Sequence, residues 1–147
     1  MGANEETEMG ADRIDLSNKD FSKQDLSATS LVGARLVNTI FQGANLFEAN
    51  LSKTDLTNAN MVEANLYGAK LIQAVLKDAQ LQNANMVGAN LSSADLTGAN
   101  LTGANLMRAN LFRANLTGAN LTGAKLTEAD LSDANLNGAT MPDGQVA

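Results

Sequence analysis

Residues 94–121 read ADLTGANLTGANLMRANLFRANLTGANL. Ala and Leu follow each other at spacings of two and three residues, and the sum of five never slips. Extending the count in fives from Leu16 to Met141 gives 26 central positions, of which 21 are Leu. The others are Phe21, Phe41, Met61, Met86 and Met141. Two residues before each central position, Ala fills 20 of the 22 places from Ala34 to Ala139, with Thr39 and Thr54 the exceptions. The residue just before each central position is mostly Asn or Asp, as at Asn45, Asp55 and Asn100.

This period excludes the two common elements. On a helical wheel of about 100° per residue the Ala and Leu positions wrap all the way round and leave no buried stripe. Strand alternation breaks at every fifth residue. The pattern instead asks for three extended residues, apolar–polar–apolar, then a two-residue corner, with four such sides closing a coil. Turn chemistry agrees. The second residue after each central position would be the third of a β-turn, and it is Gly or Asn at 13 of 26 sites, among them Gly33, Asn58, Gly98 and Gly118. A type II turn needs positive φ there, which Gly and Asn tolerate. The corners bearing Glu48, Lys53, Arg108 or Arg113 are therefore expected to use other turn types.

The repeat A-(N/D)-L-x-x resembles the pentapeptide-repeat family over residues 14–143. That resemblance implies an all-β fold, a right-handed quadrilateral parallel β-helix with one pentapeptide per side and about six and a half coils. At roughly 4.8 Å per stacked strand the rod would be on the order of 30 Å long. It also implies that Ala and Leu stack inside and that Asn or Asp side chains hold the corners. The expected organisation is an acidic N-terminal tail or cap over 1–12, a single β-helix over 13–143 and a C-terminal tail over 144–147. The first coil departs from the repeat, with Ile14, Lys19, Gln24 and Thr29 in the small inward slot. Its stretch DLSNKDFSKQDLSATSL resembles first coils of cyanobacterial members. Phe21 and Phe41 are expected to widen the core there. At the far end Pro-Asp-Gly (142–144) reads as a turn. A terminal coil exposes strand edges, so an end-to-end homodimer through the C-terminal coil is expected.

Composition narrows function by exclusion. The 147 residues suit one domain. There is no His, Cys or Trp, which removes disulfides, thiol catalysis, imidazole acid–base chemistry and zinc sites built on those ligands. No apolar run approaches a membrane span. The acidic opening MGANEETEMGAD lacks the basic start and apolar run of a secretory signal. A cytoplasmic location is expected, with the thylakoid lumen the alternative for a chain whose targeting segment has been removed. Of the net charge of −6, Glu5, Glu6, Glu8 and Asp12 supply four; from Arg13 onward 12 acids face 10 bases, a net of −2. No basic stripe for nucleic acid exists. LTGANLTGA lacks the Gly-Lys-Ser/Thr of a phosphate loop, and Glu128, Asp130 and Asp133 make only a small acidic corner. The expectation is no enzyme, no catalytic residue, no metal and no cofactor.

What remains is the outward surface. Positions 20 apart lie on the same side of adjacent coils. Sorting the residue after each central position gives two largely polar columns, on sides one and two. On side three the column is Ser27, Phe47, Tyr67, Val87, Met107, Thr127. On side four it is Val32, Ser52, Ile72, Ser92, Phe112, Ser132. Four consecutive coils of side three thus carry large apolar groups where the repeat favours Ser or Thr, and side four adds Ile72 and Phe112. Contiguous exposed apolar groups call for explanation. One reading is a packing ladder. The other is a protein-contact stripe of Phe47, Tyr67, Val87, Met107, Ile72 and Phe112 with Arg108 and Arg113 at its rim; of these types, the aromatics, Met and Arg are enriched at interfaces. The expected function is a non-catalytic scaffold that binds a protein partner along one side. The alternative, drawn from gyrase-protecting members of the family, is mimicry of a DNA duplex; the interleaved lysines argue against it.

Overall fold

The structure, a computed structural model, describes residues 13–147. The expected segment 1–12, tail or cap, lies outside the described residues. The chain is a right-handed quadrilateral β-helix. Each residue preceding a central position forms a parallel bridge with the residue twenty further on, as in Asp15–Arg35–Asp55–Val75–Asp95–Asn115–Asn135. Four five-residue sides therefore make one coil.

The period of five follows from where the backbone groups go. In a typical side, Leu96 N donates to Asn115 O in the next coil (2.7 Å) and Gly98 N to Thr117 O (2.9 Å). Asn100 N donates back to Ala79 O (2.9 Å), and Ala99 N closes the corner onto Leu96 O (3.0 Å). The fifth amide, Thr97 N, turns outward and is taken by the Asp95 carboxylate at 3.0 Å. Buried backbone groups must be paired, and an Asn or Asp two residues upstream pairs the one the stacking cannot reach. That is the physical reason for the third conserved feature of the pattern within this chain. Where the residue is Lys70, Val75 or Gln80, the amides of Ile72, Lys77 and Gln82 have no hydrogen-bond partner among the described residues.

The corners correct the expectation about turn types. All 25 residues in the third turn position from Asn18 to Gly138 have positive φ, including Glu48 (53°), Lys53 (60°), Arg108 (58°) and Arg113 (59°). With the i-to-i+3 hydrogen bond present, every such corner carries the type II signature. A left-handed conformation costs a non-glycine residue roughly 1 kcal/mol. The amides of each side donate three coil-to-coil hydrogen bonds, two forward and one back, so the stacked lattice imposes the corner whatever residue occupies it.

The interior is a stack of Ala and Leu, all buried from Ala34 to Ala124. Thr39 and Thr54 replace Ala without leaving a bare hydroxyl: each Oγ1 donates to the carbonyl three residues back, Leu36 and Leu51, at 2.7 Å. Phe41 is fully buried and stacks on Phe21 with centroids 5.2 Å apart, as expected for a wider core at that end. Ile14 is 59% exposed. At the other end the last rung is not bare on every side. Val146 pairs antiparallel with Thr140, through Met141 N to Gln145 O (2.7 Å) and Ala147 N to Ala139 O (2.8 Å). On the other three sides the amides of Leu126, Leu131 and Leu136 have no hydrogen-bond partner among the described residues.

Candidate functional site

The side-three column is held from behind by its own Asn row. The amides of Phe47, Tyr67, Val87 and Met107 donate to the side-chain oxygens of Asn45, Asn65, Asn85 and Asn105 at 3.1–3.2 Å. The same row is laced between coils: Asn45 donates to Asp25 (3.1 Å), Asn65 to Asn45 (3.3 Å) and Asn85 to Asn65 (3.4 Å). The four apolar side chains therefore stand at fixed intervals on a stiff backing. Phe47 and Tyr67 stack face to face with centroids 5.4 Å apart and planes 10° from parallel, yet remain 38% and 42% exposed. Val87 and Met107 continue the column half-buried.

The other expected residues gather less completely. Ile72 and Phe112 occupy the next corner of the square, and Ser92 separates them. The Arg113 guanidinium lies over the Phe112 ring, 5.0 Å from its centroid, a cation–π contact. Arg108 reaches along the rod to Glu128 at 3.3 Å, with both side chains about two-thirds exposed (66% and 67%). That pairing occupies one carboxylate of the acidic corner. Asp130, a second, accepts the Ser132 amide at 2.9 Å; bonds from the Ser132 hydroxyl and amide hold its carboxyl below the usual range. Sorting only the residue after each central position overlooks Lys53 and Lys70. Sorting the two remaining outward columns by twenties places both on the face that carries Arg108 and Arg113.

The comparisons with known proteins agree with this geometry. No protein with a curated description matches the chain. A solved structure of QnrB1, a plasmid-mediated fluoroquinolone resistance protein, is 20% identical over 86% of this chain and 72% of its own, with a TM-score of 0.74; it shows the shared fold. HetL, a pentapeptide-repeat protein involved in heterocyst differentiation regulation in the cyanobacterium Nostoc, is 29% identical over 92% of each chain, with a TM-score of 0.37. Another Nostoc pentapeptide-repeat protein is 32% identical over 73% of this chain and 74% of its own, with a TM-score of 0.43. The family model for pentapeptide repeats matches residues 13–43, 39–78, 74–111 and 104–141 in eight copies. Frame, corners and matches together place this chain in the pentapeptide-repeat family.

Proposed function

We propose that the protein is a non-catalytic interaction scaffold that binds a protein partner along side three and the adjoining corner. The observation that carries this reading is the column Phe47, Tyr67, Val87, Met107. It sits where the repeat otherwise has Ser or Thr, and its two aromatic rings are more than a third exposed (38% and 42%). Self-stacking alone accounts for part of the column, since it shields one face of each ring. The exposed remainder, rimmed by Arg108 and Arg113, has the composition of an interface core. Substituting Tyr67→Ser and Met107→Thr tests it. Loss of the partner from pull-downs at unchanged thermal stability supports a contact surface. Loss of stability with partner binding retained assigns the column to packing.

The last coil supports end-to-end self-association. Three of its sides present amides without backbone partners among the described residues, and the pairing of Val146 with Thr140 illustrates how such an edge accepts an antiparallel strand. A monomeric mass at high protein concentration refutes it. Mimicry of a DNA duplex has less support, because a mimic needs continuous negative charge and the rod from Arg13 onward has 10 bases among 12 acids. A gyrase supercoiling assay without any effect at added protein removes it.

A further inference from the structure

The four faces of the rod do not share charge evenly. On side four and its corner with side three, from Glu48 to Arg113, stand Lys53, Lys70, Arg108 and Arg113 against a single carboxylate, Glu48, which leans over Gly68, in a chain of net charge −6. The cations come in groups, two of which include a large apolar side chain. Lys70 stands beside Ile72 in one coil. Two coils on, Arg108 and Arg113 flank Phe112. The coil between them offers only Gly88, Asn90, Ser92 and Ser93. A Cβ placed on Gly88 would meet nothing within 4 Å, so this middle coil is an open, flat floor that another backbone can approach.

The cations are available. Lys70 is exposed and has no ion pair among the described residues. Arg113 lies over the Phe112 ring, a stacking that leaves guanidinium N–H edges free to meet a carboxylate. Arg108 holds Glu128 in an exposed pair, the kind that exchanges readily for another anion.

Resting on the scaffold reading, we propose that this face binds an acidic linear peptide in the polyproline II conformation, laid along the rod axis, with an apolar residue and a carboxylate recurring at every third position. The spacing selects this conformation. The two anchor groups are two coils apart, about 9.6 Å at roughly 4.8 Å per coil. Polyproline II repeats every three residues at about 3.1 Å each, or about 9.3 Å. An extended strand repeats every second residue, about 6.6 Å, and would drive side chains onto the flat coil. The apolar residues meet Ile72 and Phe112, the carboxylates meet Lys70 and the two arginines, and the intervening residues cross Gly88 and Ser92.

The test is fluorescence anisotropy of the full chain with a short labelled peptide of repeating Leu-Glu-Pro. Binding is expected to weaken with added salt and to fall about tenfold or more in the double variant Lys70→Glu, Arg113→Glu, since like charges then face each other. Ser92→Trp should abolish it by filling the flat coil. All these side chains point outward, so unchanged circular dichroism verifies the fold. Equal affinity for repeating Leu-Lys-Pro, for polyglutamate, or for the double charge variant overturns the proposal. Capture of the natural partner separates this from the broader reading. If Tyr67→Ser and Met107→Thr release that partner while Lys70→Glu, Arg113→Glu retains it, the peptide proposal fails and the scaffold stands; if neither releases it, both fail.

Discussion

Replacing Asn100 by Ala removes the acceptor of two bonds at once: Thr102 N at 3.0 Å and Thr102 Oγ1 at 2.7 Å. The coil-to-coil bonds on either side, Asn100 N to Ala79 O and Leu101 N to Asn120 O, are backbone and stay. The loss is therefore confined to one half-buried corner. The orphaned amide costs about 1 kcal/mol and the hydroxyl, which can turn to water, about 0.5 kcal/mol. The sum, roughly 1.5 kcal/mol, corresponds to a fall in Tm of about 3–6 °C for a chain of this size. Thermal melts followed by circular dichroism measure it. In a double-mutant cycle, Thr102→Val should cost about 0.5 kcal/mol less in the Asn100→Ala background than in the wild type. The converse experiment lies one coil earlier on side one, where the Lys77 amide has no partner among the described residues because Val75 stands in the Asn position. Val75→Asn should stabilise by about 0.5–1.5 kcal/mol. An Asn100→Ala protein that melts with the wild type, together with no gain at Val75→Asn, would show that solvent satisfies these corners and that Asn in the repeat has some other cause.

Leu96→Ala opens a cavity between the stacked Leu76 and Leu116, all three fully buried; a loss of about 2–5 kcal/mol in urea unfolding is expected. Glu63→Gly relieves a left-handed residue at φ 59° and should stabilise by a few tenths up to about 1 kcal/mol, because the strain relieved exceeds the chain entropy added; destabilisation would show the Glu63 side chain to be a contact of value. Acid should act on the corners held by Asp before those held by Asn. Asp20, Asp25 and Asp130 are held below the usual carboxylate range by bonds from the hydroxyl and amide of the following Ser, and Asp15 by the Ser17 amide and hydroxyl in that order. A lowered folded-state value means that the stabilisation is full above the ordinary value of 3.8 and is lost as pH falls below it through the folded value. Amide exchange at Ser17, Ser22, Ser27 and Ser132 should accelerate there, while Thr102 and Thr122, held by Asn, keep their protection.

The frame was legible because Ala, Leu and the Asn-type residue each meet a separate physical demand at a fixed place, and no insertion disturbs the count. Residue preference at Glu48, Lys53, Arg108 and Arg113 predicts other turn types, as if it alone decided the corner. It does not: coil-to-coil bonds on both sides outweigh about 1 kcal/mol of left-handed strain. The alignment of Phe47, Tyr67, Val87 and Met107 followed from the period of twenty. The position of Arg113 over Phe112 and the reach of Arg108 to Glu128 did not, since both depend on side-chain torsions that the repeat leaves open.

The bonding scheme also gives the rod an electrical direction. On each side two amides, such as Leu96 N and Gly98 N, point toward the C-terminal end, while one, such as Asn100 N, points back. The net is one unopposed peptide dipole per side, repeated coil after coil. Amide hydrogens gather at the C-terminal end and carbonyl oxygens at the other, the reverse of an α-helix. Glu128, Asp130 and Asp133 sit at the positive end of that field; at the negative end Arg13, Lys19 and Lys23 are matched by Asp15, Asp20 and Asp25. Two such rods approaching along their axes attract when the tail of one meets the head of the next, and repel tail to tail. Any axial assembly of this protein therefore has to choose between following that field and opposing it through side chains.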